Sequence, residues 1–209
     1  MDQEPGFEGK AGTGRVEAFS DGVLAIIITI MVLELHAPEQ PGLAALWHLW
    51  PTFFAYVISY NYIAIYWVNH HRMFGHARTV NNSLLWSNIV LLFALSMIPF
   101  STAYLGKHFG DPLASVVYAI SLLVPSFAFL WLKASIARSG SQSADSQAYY
   151  RATTRKGFFA AAIYALAVLL GMIWPYVGVT LAGLVGLFWI VPYGPLDRLF
   201  LRCDAPEAS

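Results

Sequence analysis

The stretch Arg15-Val-Glu-Ala-Phe-Ser-Asp-Gly-Val-Leu-Ala-Ile-Ile-Ile-Thr-Ile-Met-Val-Leu-Glu34 decides what kind of protein this is. Residues 16–35 are apolar enough, and long enough, for one crossing of a bilayer, which takes about 20 residues in a helix. Five further runs of this kind follow, at 46–68, 84–105, 112–132, 157–176 and 177–196. The last two are joined by little more than Trp174-Pro175-Tyr176-Val177-Gly178, where Pro and Gly supply the break. Barrel strands would read as short alternating segments, so the runs predict an all-α integral membrane protein of six spans. Composition agrees. The chain is 57% hydrophobic and 11% charged, with a mean hydropathy of +0.57. A soluble domain carries about 25% charge, so this surface faces something other than water.

Lys and Arg set the orientation. With the N-terminus inside, eleven of the 12 Lys and Arg fall on the inner side and only Lys107 on the outer. Six spans with both ends cytoplasmic produce that split; five or seven would put Arg198 and Arg202 on the wrong side. The expected organisation is a polar tail over 1–14, a six-helix transmembrane domain over 15–202 and a short tail over 203–209. Residues 134–154, rich in Ser, Ala and Gln, read as a cytoplasmic loop with room for a short surface helix. The N-terminus lacks the basic start and cleavage site of a signal peptide, so the first apolar run is expected to stay in the mature protein. The single Cys, Cys203, excludes a disulfide framework within the chain. Acids and bases are equal in number, so net charge says nothing about a nucleic-acid partner, and none is expected. No internal repeat is visible, so a pore would need several chains.

The first span carries an acid where helix folding needs none. Asp21 lies about one and a half turns inside a helix starting near Arg15. A carboxylate at mid-bilayer costs roughly 2.5–3.5 kcal/mol, less near an end. Either it caps or snorkels at the interface, or it is hydrogen-bonded against other helices. Counted by depth, Trp67, His70 and His71 on the second span and Asn88 on the third reach the level of Ser20 and Asp21. A carboxylate, hydroxyl, imidazole and amide satisfy one another in a low dielectric. His70 and His71 are adjacent, so they point about 100° apart and make a poor chelate; no metal is expected. Beyond Asp21, Gly22, Ile26, Thr29 or Ile30, and Leu33 share one face at helical spacing. That stripe is either packing and lipid contact or, with copies around an axis, stacked apolar rings. Glu34 would then sit near the outer mouth, where a ring of acids concentrates cations.

Arg15, Phe19-Ser20-Asp21-Gly22, Ala25-Ile26 and Thr29 together resemble the first-helix signature of the transmembrane protein 175 family of potassium channels. Tyr66-Trp67, His70-His71 and Phe74 look like the family's second helix, and Trp86, Asn88 and Pro99-Phe100-Ser101-Thr102-Ala103 like its third. The resemblance implies the single-repeat prokaryotic form, a homotetramer in the cell membrane with the first helix of each subunit lining a central pore. It implies a constriction at Ile26, Ile30 and Leu33, and a link between Thr29 and potassium preference. It gives Arg15, Phe19, Ser20, Asp21, His70 and Asn88 structural and gating roles, with Trp67 as a buttress. The permeant species would be potassium, with no cofactor. No Thr-Val-Gly-Tyr-Gly filter is present, so selectivity needs another basis. Partial dehydration at narrow apolar rings costs less for potassium than for sodium and gives moderate selectivity. The competing expectation is a proton-coupled secondary transporter using Asp21 with His70 or His71 as a relay. A membrane enzyme is not expected, since no nucleophile motif, carboxylate pair or metal cluster is visible.

Overall fold

The computed structural model describes residues 10–75, 77, 79–138 and 144–190. These residues form helices and connecting turns: α1 (Lys10–Leu33), α2 (Leu43–His48), α3 (Trp50–Phe74), α4 (Asn82–Ser96), α5 (Ile98–Lys107), α6 (Pro112–Arg138), α7 (Ala144–Gly171) and α8 (Pro175–Ile190). Among the described residues, four stretches can cross a bilayer by length and composition: Gly12–Leu33, Asn82–Lys107, Pro112–Arg138 and Thr153–Gly171. At 25 residues α3 is long enough, but its Tyr, Asn and His side chains dilute its apolar character. The described part of α8 is apolar and 16 residues long.

Prolines account for most departures from the expected spans. The second run was expected to begin at residue 46, whereas α3 begins at Trp50 with Pro51 in its first turn. Pro51 has no N–H to return to Trp47, so the preceding residues form the separate α2. The third run breaks at Met97, because Pro99 cannot donate to Leu95; α4 and α5 are the two halves of one rod. Pro175 starts α8, the position where its missing N–H costs nothing, so the fifth helix ends at Gly171 rather than residue 176. By contrast α6 runs through Pro125 without interruption. Two expected non-helical segments are partly helical. Lys10–Gly14 belongs to α1, and much of 134–154 extends α6 and α7. Lys133 of α6 donates to Thr153 of α7, so the two helices stay in contact through this region. Residues 1–9, the end of the sixth run, Arg198, Arg202 and the tail at 203–209 lie outside the described residues.

The centre of the bundle is α6, which packs on α3, α4, α5, α7 and α8. Its buried Ala114, Ser115, Ala119 and Ala128 are small, which lets neighbouring backbones come close. Several buried hydroxyls are satisfied within their own helices, Ser87 donating to Leu84, Ser101 to Ile98 and Ser126 to Leu123, while Thr102 donates to Ser59 and Ser115 to the Pro175 carbonyl on neighbouring helices. That is how so many Ser residues sit inside an apolar bundle without orphaned groups. In contrast to α6, α1 lies at the margin and contacts α3, α4 and α5.

One close crossing is between α7 and α8, beside α6. A Cβ on Gly178 would lie 2.6 Å from Ser115 Oγ, 2.9 Å from the Ala167 carbonyl and 2.9 Å from Gly171 Cα. Two of those atoms are backbone and cannot yield. Gly178→Ala is therefore expected to destabilise the fold by about 1–3 kcal/mol through overpacking. Thermal unfolding in detergent checks this, with Gly186→Ala as the control, since nothing lies within 4 Å of that position. Equal midpoints for the two variants would contradict the close approach.

Candidate functional site

The two faces of α1 are unlike. Ser20, Leu24, Ile27 and Met31 are buried, at intervals of four, three and four residues, and pack on the neighbouring helices. On the opposite side Ile26 is 58% exposed, Ile30 43% and Leu33 74%, with Phe19 at 60%. Thr29 and Gly22 are exposed on this side as well. The Thr29 hydroxyl donates to the Ile26 carbonyl at 2.8 Å, so it is satisfied by its own helix. Ile26 and Ile30 also form one wall of a groove of about 580 Å³ against α4 and α5, which Phe100, Tyr104 and Lys107 complete. Glu34 is half-buried just past the helix and lines the same groove. Arg15 is exposed.

At the other end, α1 is tied down by two hydrogen-bonded systems. In the first, His70 Nε2 lies 2.9 Å from Asn88 Oδ1, and Asn88 Nδ2 donates to Ser20 Oγ at 2.9 Å. The Ser20 hydroxyl in turn donates to the Val16 carbonyl at 2.8 Å. Every direction in this chain is therefore fixed. Ser20 has spent its proton and must accept, so Asn88 presents its NH₂ to it and its oxygen to His70. Nε2 of His70 then carries the proton. All three residues are buried, and the His70 ring stacks on Phe74 at 4.4 Å. Among the described residues, His70 Nδ1 is the one buried side-chain polar atom without a partner.

In the second system, Trp67 Nε1 donates to Asp21 Oδ1 at 2.9 Å, and His71 Nδ1 meets Glu17 Oε1 at 2.6 Å. Glu17 and Asp21 are four residues apart, as are Trp67 and His71. On antiparallel helices those intervals bring both pairs into register. The His71 and Trp67 rings stack at 6.0 Å. This system lies at the surface, with the His71 side chain 64% exposed and Asp21 half-buried.

Ser20 and Asp21, expected to share one network, head two. Adjacent helical residues point about 100° apart, which turns Ser20 into the bundle and Asp21 to its edge. The same geometry sends His70 to α4 and His71 to α1. Neither His hydrogen-bonds Asp21, as the relay of a proton-coupled transporter would require. Glu17 was not among the expected residues. Its position four before Asp21, matched by His71 four after Trp67, is the signal that identifies it.

The family match covers the half of the chain that carries these residues. Residues 15–99 match the family described as "Endosomal/lysosomal potassium channel TMEM175". A potassium channel of Chryseobacterium sp. (strain P1-3) is 42% identical over 188 residues, spanning 88% of this chain and 96% of that protein. A potassium channel of Chamaesiphon minutus is 39% identical over 181 residues, 80% of this chain and 89% of that one. The human endosomal/lysosomal proton channel TMEM175 is 32% identical over 97 residues, 41% of this chain but 19% of its own length. In structure, the chain resembles the crystal structure of a lysosomal potassium-selective channel TMEM175 homolog from Chamaesiphon minutus. The TM-score is 0.78 at 29% identity, covering 94% of this chain and all of the other.

Proposed function

Since this chain belongs to the TMEM175 family, a family of channels rather than enzymes, we propose that it is a potassium channel, moderately selective over sodium. The observation that carries the reading is the two-faced α1. One face is buried and hydrogen-bonded to its own bundle, while Ile26, Ile30 and Leu33 stand exposed on the other. In a homotetramer, four copies of that face enclose an axis, and the three residues form apolar constrictions along it. Dewetting at such rings regulates conduction, and the cost of shedding water there separates potassium from sodium. Thr29 contributes to potassium preference at the same level, and Glu34 concentrates cations at the outer mouth. Ser20, Asp21, Trp67, His70 and Asn88 hold α1 in place without touching the ion; Arg15 and Phe19, both exposed in the single chain, belong to the same motif. The chain is a multi-pass membrane protein; α1, α3, the α4–α5 rod, α6, α7 and α8 make six crossings of the cell membrane, with both termini cytoplasmic.

The test is flux from liposomes holding the purified protein, driven by a potassium gradient and read with a proton-sensitive dye and an uncoupler. Fast potassium flux with slower sodium flux is the expected result. Equal flux of the two ions, or flux that persists only as proton exchange, would overturn potassium selectivity. No flux from folded protein would remove the channel reading altogether.

A further inference from the structure

Two lysines are buried at the end of the bundle that also carries His70 and His71, on helices that take no part in the candidate pore. Lys133 of α6 is 4% exposed and Lys156 of α7 is 7% exposed. Lysines at a helix end in a membrane ordinarily snorkel to water; these two are turned inward. Lys133 Nζ donates to Thr153 Oγ1 at 2.5 Å, and no carboxylate among the described residues pairs with it. A buried ammonium whose one partner is a neutral hydroxyl is costly, and an anion nearby relieves that cost. Lys156 follows Thr153 by three residues, about one turn, and its ammonium lies 4.7 Å over the Trp189 ring. The Lys133 ammonium therefore meets α7 about one turn before Lys156.

Beside them is an apolar cavity of about 40 Å³ between α3, α6, α7 and α8. The residues that the lysines touch, Thr153 and Trp189, line it. Its remaining wall is largely Tyr62, Tyr66, Phe129 and Tyr164, with Gly157 and Gly186 leaving space where side chains would intrude. Two cations beside an apolar slot, at the end of a membrane helix, match the two parts of an amphiphile. The cavity admits a segment of one chain, not a whole lipid, so the rest of such a molecule stays in the bilayer.

We propose that Lys133 and Lys156 form a site for the phosphate of an anionic phospholipid, with part of one acyl chain entering the tyrosine-walled cavity. Arg155, next to Lys156, and Arg138, one and a half turns beyond Lys133, add to the positive field there. An anionic lipid supplies the counter-charge that Lys133 lacks among the described residues. The site stands on α6 and α7 and does not depend on what α1 conducts.

Thermal unfolding of the full-length protein in detergent tests this, with dioctanoyl phosphatidylglycerol, dioctanoyl phosphatidylcholine and inorganic phosphate as separate additives. Phosphatidylglycerol is expected to raise the midpoint, and the other two are not. The rise should vanish in Lys133→Met, survive in Lys133→Arg and shrink in Lys156→Met. If Lys133→Met does not fold, the other two variants decide. An equal rise with phosphatidylcholine would reduce the site to apolar filling and overturn the proposal. An equal rise with inorganic phosphate would overturn the lipid as occupant. An undiminished rise in Lys156→Met and Lys133→Met would place the lipid elsewhere.

Discussion

Ile26→Asn is expected to raise sodium flux relative to potassium by about tenfold, a loss of about 1.4 kcal/mol of discrimination. Ile26 is more than half exposed on the face of α1 that its own bundle does not cover. In the proposed pore each copy supplies one such side chain to a ring that offers a passing ion no replacement for shed water. An amide in that ring supplies donors and acceptors, so water stays with the ion. The benefit is larger for sodium, which holds its water more tightly. Total flux should rise and selectivity fall. The liposome assay reads both, and size-exclusion chromatography confirms that the variant still assembles. A folded Ile26→Asn protein with unchanged flux for both ions would remove the constriction from α1.

The second large effect falls on stability. Asn88→Ala removes both bonds in the middle of the Ser20–Asn88–His70 chain. The His70 Nε2–H, on a side chain 1% exposed, is left with nothing to accept it. Orphaning a buried polar group costs about 1–3 kcal/mol, whereas single hydrogen bonds in membrane bundles average nearer 0.6 kcal/mol. The loss here is expected at about 2–3 kcal/mol, because one substitution breaks two bonds and leaves a buried donor. Ser20→Ala should cost less. It leaves one Asn88 N–H without its acceptor but keeps the His70–Asn88 bond, and the hydroxyl proton it deletes serves only the Val16 carbonyl. Unfolding midpoints of the two variants check the order, and a larger loss for Ser20→Ala would contradict the bond directions.

Much of this arrangement could be read from the chain because depth in a membrane helix is arithmetic. A rise of about 1.5 Å per residue fixes the level of every side chain once the ends of the apolar runs are known. Ser20, Trp67, His70 and Asn88 could be set at one level that way. Which of them face each other is a matter of rotation, and rotation depends on packing between helices. That is why Ser20 and Asp21 separate into two systems, and why the Glu17–His71 pair emerges only with α1 and α3 side by side. The ends of the helices were less legible for a different reason. Pro51 and Pro99 interrupt apolar runs without making them any less apolar, so hydropathy passes over breaks that the missing N–H groups impose. The extension of α6 and α7 was hidden in the opposite sense. A polar, Ser-rich segment resembles a linker until a contact such as Lys133 to Thr153 shows the two helices continuing together.

The way α1 is held has a mechanical consequence. Glu17, Ser20 and Asp21 make side-chain hydrogen bonds to other helices at one end, and beyond Asp21 none reaches another helix among the described residues. The helix is a cantilever, clamped by directional bonds at one end and resting on non-directional apolar contacts over the other. From the clamp to Leu33 is about 18 Å of unbonded rod. A small rotation at the clamp is multiplied along that lever, and the far end slides over Leu24, Ile27 and Met31 contacts without exposing a polar group. Ile26, Ile30 and Leu33 all ride on the free length. Stiffness therefore rises and falls along one continuous helix, and the part that moves most easily is the part that carries the exposed isoleucines.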